Sequence, residues 1–570
     1  MEETKDSVKK ISVIAPVKHP RDISTFSKET ECKNFYVYHD KFIYGNFSEI
    51  EEFIKNAHSN NCKVYVNFKH DIAEEDIDLI KKFILFLTYT KINGIFINSF
   101  AILEAIKNLS LEFDIIADSY FDIHNLAGID FIDSYAKNDK IVVTEEIYIK
   151  NLKYIKDNSN KILATDSDNI PWCAKDIIES ETVNSVVIKG TFDSSDAILE
   201  GIKLVEGILN GSQEHKNRTL PFKHTRNSYY QTNHFTGEIV NARGENFNFS
   251  KYIRPFRWNY KKQTSDPAKE CRIQNIPKIN LRLSSLAQLQ ALEKFIKKSD
   301  FNPVYSIEFG EVVSTSDLSK NSFTVVMLKA KKFCDKYGIK LQYSTPRILI
   351  ERDFDRVYND SKKFCRDTEP DSVIVNNIGY FWKLANDKDF QNIKVEIGSG
   401  INLLNSMSIR CLNDIKSLTT VDFTTFRDIN NIKNCIKRLE MEIPFRKLTV
   451  SGNIRVPSLG LCPLNSDPAI LSRLNCSAPC HGGPYAIEDP VLNQIYPFIT
   501  DGFCRMHMFK DEILNLCRYI NLFEEIGINE FVIDLSTLDA KFVPLLITDF
   551  LNSLSDNNPM QLPILTEHLM

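Results

Sequence analysis

Residues 63–100 read KVYVNFKHDIAEEDIDLIKKFILFLTYTKINGIFINSF, and this stretch decides the fold. The β-branched run Lys63–Phe68 is followed by Ile72–Leu87, whose apolar residues recur every three or four positions, and then by a second short run, Gly94–Asn98. A strand, a helix with one buried stripe and another strand form a βα unit on a parallel sheet.

The same alternation extends in both directions. The first half predicts strands at Ile11–Ala15, Phe35–His39, Lys63–Phe68, Gly94–Asn98, Asp114–Ala117, Lys140–Thr144, Lys161–Ala164 and Ser185–Lys189, with a further amphipathic helix at Ala197–Leu209. The second half repeats the scheme at Ile279–Leu283, Val304–Phe309, Lys340–Ser344, Ser372–Asn376, Lys394–Ile397, Thr420–Phe423, Lys447–Val450 and Glu530–Leu535. Eight strands suit one closed barrel, so the chain reads as α/β: two tandem (β/α)8 TIM-like barrels, with a small β-rich connecting segment and a cysteine-containing insert in the second barrel. The expected boundaries are 1–212 for the first barrel, 213–275 for the connector and 276–558 for the second barrel, with the insert at 451–510. A length of 570 residues, too great for one core, agrees with two large domains.

The composition, 43% hydrophobic and 25% charged, is ordinary for a globular protein. The opening MEETKDSVKK has no apolar core of a secretory signal, and no later stretch approaches eighteen uncharged apolar residues, so a cytoplasmic protein without membrane contact is expected. In that compartment the 13 cysteines read as buried thiols or metal ligands rather than as a disulfide framework. The net charge of −5 conceals an asymmetry: Lys216–Lys262 holds ten Lys or Arg against two Glu. Aromatics interleave with those cations, including Tyr229, Tyr230 and Trp258 among Arg226, Arg254 and Arg257. Such a mixture can stack on unpaired bases and neutralise phosphates, which makes tRNA or rRNA a candidate partner. It can equally be the core and solvated rim of a small β-rich appendage.

Between the last two strands of the second half lie about 80 residues, against about 20 in the first half, and long connections of this kind are usually functional. The extra length contains SGNIRVPSLGLC (451–462), RLNCSAPCHGG (473–483) and DGFC (501–504), with Cys462, Cys476, Cys480 and Cys504. Thiolates on short, sharply folded loops suit zinc or an iron–sulfur cluster, although this spacing is not a common signature of either. The same cysteines could be packed as small apolar residues or could form a redox pair.

SGNIRVPSLGLC and SRLNCSAPCH resemble the insertion H-G-x-x-C-x-x-x-S-G-R-C followed by N-R-G-x-C-x-x-P-C-R of the collagenase-like peptidase U32 family. Gly452, Gly460, Cys462, Arg473, Cys476, Pro479 and Cys480 occupy matching places. The family's histidine falls on Ser451, its first cysteine on Arg455 and the arginine of its G-R-C on Leu461. Its later K-D-L-C cysteine falls on Ile513, and a ligand that some members supply after the second strand falls on Ser314. An N-x-H-N-like segment of family barrels is similar to Asp122–Asn125 and to Asn402–Asn405, and the closing K-I-E-G-R is similar to Val187–Thr191 and Val532–Ser536. The chain thus resembles a divergent tandem-barrel member of that family.

The resemblance implies a [4Fe–4S] cluster, with zinc as the alternative, on Cys462, Cys476 and Cys480, with Cys504 as the fourth ligand and Cys517 or Cys411 behind it. It implies oxygen-independent hydroxylation or modification of an RNA base or small aromatic molecule. A non-catalytic partner of a cysteine-complete U32 relative, or a collagenase-like peptidase, are the rival readings. No H-E-x-x-H or G-x-S-x-G occurs to support hydrolysis, and His481 and His507 are the histidines nearest the cysteines. Asp534, at the end of the last strand, and His124, after a strand of the first half, are the catalytic candidates, each with a structural alternative.

Overall fold

The computed structural model describes residues 11–68, 72–135, 140–142, 149–159, 161–166, 183–189, 194–210, 230–232, 239–241, 253–258, 277–426, 428–456, 462, 464, 479–489 and 493–554. Calls on Arg226, Tyr229, Gly460, Arg473 and Cys476 lie outside them.

The first unit is a closed parallel barrel of β1 (Ser12–Pro16), β2 (Asn34–Tyr38), β3 (Lys63–Asn67), β4 (Gly94–Ile97), β5 (Asp114–Ala117), β6 (Lys140–Val142), β7 (Ile162–Asp166) and β8 (Ser185–Val187), with β8 pairing back onto β1. All eight predicted strands are present. Each strand contributes one residue to an apolar layer: Ile14, Tyr36, Tyr65, Phe96, Ile116, Val142, Ala164 and Val187. This barrel is filled by side chains, as small closed barrels are. Helix Ile77–Leu87 buries the stripe read from the sequence.

The connector contributes an antiparallel pair, β9 (Tyr230–Thr232) and β10 (Ile239–Asn241), and a separate strand, β11 (Ile253–Pro255). By compactness the chain divides between Phe247 and Asn248, within the connector, with Ile350–Arg352 grouped with the first unit.

The second unit repeats the barrel with β12 (Lys278–Arg282), β13 (Val304–Phe309), β14 (Lys340–Ser344), β15 (Ser372–Val375), β16 (Val395–Ile397), β17 (Leu418–Asp422), β18 (Phe445–Arg455) and, after β19 (Tyr485–Asp489), β20 (Gln494–Thr500) and β21 (Met506–Asn515), the closing strand β22 (Glu530–Asp534). All eight strands expected for this half are present too, and β22 pairs with both β12 and β18. The insert is an antiparallel extension: β18 runs past the barrel and pairs with β21, followed in order by β20, β19 and β11. The connector therefore supplies the outermost strand of the insert's sheet.

Gly452 is where β18 serves both partners. It sits at φ +104°, in register with Asp534, and a Cβ there would lie 1.9 Å from the Asp534 carbonyl oxygen. That contact is backbone and cannot give way. Gly452→Ala is expected to destabilise the second barrel by about 2 kcal/mol or more, read as a lower calorimetric midpoint; an unchanged midpoint would show that the close approach is dispensable.

Candidate functional site

Along β12, β13 and β14 every second residue is polar: Asn280 and Arg282, Ser306 and Glu308, Gln342 and Ser344. Side chains two apart share a strand face, and these turn into the barrel, where they meet across strands. The lower layer centres on Lys447, whose Nζ reaches Glu396 Oε2 at 2.5 Å and Gln342 Oε1 at 2.9 Å. Gln342 Nε2 donates to Glu396 Oε1 at 2.8 Å, and Asn280 Nδ2 donates to Glu530 Oε2 at 2.9 Å.

The upper layer lies at the carboxyl ends of the strands and centres on Arg282. Its Nε donates to Glu308 Oε1 at 2.9 Å and its Nη1 to Asp534 Oδ2 at 2.9 Å, while its Nη2 lies 3.4 Å from Asp422 Oδ2. One guanidinium on the first strand thereby ties the second, sixth and eighth. Asp534 also accepts Ser536 N and Ser536 Oγ, at 2.9 and 2.5 Å. Ser344 Oγ donates to the Glu308 oxygen that Arg282 already holds, so no donor among the described residues reaches Glu308 Oε2. Arg455 adds a two-pronged pair to Glu311, with Nη1 at 2.7 and 2.8 Å, and its Nε stands 3.5 Å from Asp534.

Burial pushes the Glu308 carboxyl up, but Arg282, Lys447 and Arg455 outweigh it and hold that group below the usual carboxylate range. Asp534 is held low in the same way: burial raises it, and Arg282 and Arg455 more than reverse this. Glu530 goes the other way, raised chiefly by burial.

Asp534 and His124, the two catalytic candidates, have different surroundings. Asp534 belongs to the Arg282 network, whereas His124 is buried after β5 in the first barrel. In the matching segments Asn125 and Asn405 are helix caps, accepting Gly128 N at 3.0 Å and Ser408 N at 2.8 Å. Sequence reasoning missed Arg282, Glu308, Asp422 and Glu311. The available signal was the polar residue at every second position of strands that otherwise read as buried.

In the insert, Cys462 is buried, and Cys480 and Cys504 are half-buried. Cys504 sits at φ +62° in the β20–β21 turn. Asp501 organises that turn, accepting Phe503 N at 2.8 Å and Arg505 N at 3.0 Å, while its Oδ2 contacts His507 Nε2 at 3.1 Å. His507 is thus paired with a carboxylate. Arg505, buried, fastens the turn to Asp353 at 3.0 Å. The loop after β13 meets the insert twice, through Glu311 to Arg455 and through Thr315 Oγ1 to the Cys480 carbonyl at 3.0 Å. Ser314, adjacent to Thr315, bonds Ser316 at 2.8 Å. Cys411 and Cys517 are core residues, and burial pushes the Cys517 thiol up to about 12. Of the nucleic-acid candidates, Arg254 and Arg257 are exposed and Tyr230 opens β9. Trp258 is 4% exposed and donates its indole N–H to Thr537 O at 3.1 Å, so its ring packs inside the second unit rather than on a stacking surface.

Residues 41–164, most of the first barrel, match the model of peptidase family U32. Over that stretch the first barrel is similar to the family. No curated protein matches the chain. Among solved structures it is similar to the spore cortex-lytic enzyme SleL of Bacillus megaterium QM B1551, at 9% identity over 48% of this chain and 75% of that one, with a TM-score of 0.25. It is also similar to the YdjI aldolase of Escherichia coli K12, at 10% identity over 38% and 91%, with a TM-score of 0.26. A truncated 3-deoxy-D-arabino-heptulosonate 7-phosphate synthase of Thermotoga maritima gives 13% over 37% and 90%, with a TM-score of 0.26. Likeness at this level carries no argument about activity.

A U32 cluster would need converging thiolates. Among the described residues no three His, Cys, Asp or Glu side chains form a metal site, and the place of the family's first cysteine is taken by Arg455, a cation that cannot ligate and is already bound to Glu311. The described residues therefore do not assemble the four-thiolate set. No helix among them is long and apolar enough to cross a membrane.

The buried charges of the second barrel can be tested individually. Lys447→Met strands Glu396 and should cost about 3–5 kcal/mol, whereas Glu530→Gln, which mimics the protonated acid that burial favours, should leave the denaturation midpoint at pH 7 unchanged or raise it. Equal losses in the two would contradict the assignment. Because Glu308 and Asp534 are depressed relative to the unfolded chain, their stabilisation is complete above the ordinary carboxylate range and is lost as the pH falls through their folded values. Glu308→Gln should flatten the acid limb of a stability–pH curve, and an unaltered limb would remove Glu308 from the linkage.

Proposed function

We propose that this protein is an enzyme, or the subunit of one, that modifies an RNA base or a small aromatic molecule at the mouth of its second barrel. The supporting observation is the Arg282 network at the carboxyl ends of the strands, the face on which barrel enzymes carry their chemistry. Buried ion networks contribute little net stability compared with apolar packing, and the first barrel closes on an apolar layer. Charge retained at this face is better accounted for by a substrate. In this reading Glu308, ionised and with Oε2 open, is the group that meets the substrate, and Arg282 orients it. Exposed Arg254 and Arg257 are available to phosphates. The test is the nucleoside mass profile of total RNA from a deletion strain complemented with wild type or Glu308→Gln. Loss of one modified nucleoside on deletion, restored by wild type alone although both proteins accumulate equally, supports the reading. An RNA profile unaffected by deletion, together with unaffected small aromatic metabolites, overturns it.

A second reading, a non-catalytic partner of a cysteine-complete U32 relative, is favoured by the Arg455–Glu311 pair at the place of a family cysteine. Anaerobic purification with iron, sulfide and zinc analysis separates the two. About four iron and four sulfide per chain, lost in Cys476→Ser, would support a [4Fe–4S] enzyme; zinc alone would make the insert a structural clip. Metal-free protein that copurifies with a relative would support the partner role. A collagenase-like peptidase rests on the family name, and gelatin cleavage abolished by a single nucleophile substitution would be required for it.

A further inference from the structure

The two barrels allow a comparison within one chain. In each, the fourth strand is followed by an asparagine and then a helix cap: Asn98 and Ser99 after β4, Asn376 and Asn377 after β15. In the second barrel the Asn376 side chain is fully bonded. Its Nδ2 donates to Ser344 Oγ at 3.0 Å and Thr345 O at 2.9 Å, and its Oδ1 accepts Gly400 N at 3.2 Å.

In the first barrel the counterpart is incomplete. Asn98 is 6% exposed, and its Oδ1 has no hydrogen-bond partner among the described residues. Its Nδ2 reaches only Asn67 Oδ1, at 3.5 Å, and the amide nitrogen of Asn67, 3% exposed at the end of β3, finds no acceptor among the described residues. A buried amide oxygen left unmatched costs about 1–3 kcal/mol, so something that donates is expected to complete it. Beside this pair, Lys189 after β8 binds Asp118 and donates to Ser119 Oγ at 3.1 Å. The β4–β5 register, Ile97 opposite Ala117, brings Asn98 next to Asp118. These groups lie at the carboxyl ends of the strands, beyond the apolar layer.

We infer that the mouth of the first barrel is a second binding site, for a small neutral molecule with a lactam edge. The N–H of that edge donates to Asn98 Oδ1 and its adjacent C=O accepts from Asn67 Nδ2, as one amide pairs with another. Among the described residues Lys189 and Asp118 balance each other, and a neutral ligand matches that balance. The inference concerns the first barrel and does not depend on the chemistry proposed for the second.

Saturation-transfer NMR on the full chain tests it, with uracil as the probe and 1,3-dimethyluracil, which lacks the N–H donor, as the control. Uracil should saturate, dimethyluracil should be weaker by about fivefold or more, Asn98→Leu should lose the signal and Asn98→Asp, which keeps an acceptor, should retain it. Equal signals from the two probes on wild type, no uracil signal on wild type, or undiminished binding to a folded Asn98→Leu would each overturn the inference. Should the leucine variant fail to fold, the comparison of probes on wild type decides.

Discussion

The second barrel depends on Arg282. A guanidinium buried at the carboxyl end of the first strand must be answered by carboxylates, and Glu308, Asp422 and Asp534 answer it from three other strands. A pairing of this kind is demanding. Removing any one partner leaves a charge in low dielectric, so the heights of four strands relative to one another are constrained by one planar group with its donors in a rigid fork. The first barrel meets the same need for closure with one apolar side chain per strand. Hydrophobic filling is the more forgiving solution, since volume matters more than direction.

From the Arg282 network the constraint spreads to the insert. Asp534, held by Arg282, stands opposite Gly452, and only a residue without Cβ lets β18 pass so close. Three positions later Arg455 binds Glu311 and approaches Asp534, so β18 leaves the barrel already anchored to the mouth. The loop after β13 then holds the Cys480 backbone through Thr315. The insert is therefore a sheet extension anchored at the mouth and reinforced by a connector strand, which leads into Trp258 and its hydrogen bond to the Thr537 carbonyl.

Much of this architecture was legible in the sequence, for a physical reason. Parallel barrel strands are short and buried on both faces, and runs such as VYVN in β3 and SVIV in β15 stand out between amphipathic helices. Boundaries moved by a few residues where pairing outlasts the apolar run; β18, read as Lys447–Val450, extends from Phe445 to Arg455 because the insert supplies a further partner. The site was less legible. Arg455 read as the absence of a cysteine, since its partner Glu311 lies 144 residues away and no local pattern connects them. The aromatic, basic connector invited a stacking role for Trp258, yet an indole N–H with a backbone acceptor fits the interior equally well.

The recurring motifs mark the frame more than the chemistry. Asn125 and Asn405 end the two similar segments after the fifth strands, and both are accounted for by capping the helix that follows. Function is better sought where the repeats diverge. After the eighth strand the first barrel places Lys189, paired with Asp118, whereas the second ends β22 on Asp534, paired with Arg282. The sign of the charge is reversed, and so is the direction from which it is answered: a fifth-strand acid in one barrel, a first-strand base in the other. Among the described residues, then, one frame carries a single balanced pair at the first mouth and one guanidinium among three carboxylates at the second, so the two present different electrostatic surroundings at the same strand ends.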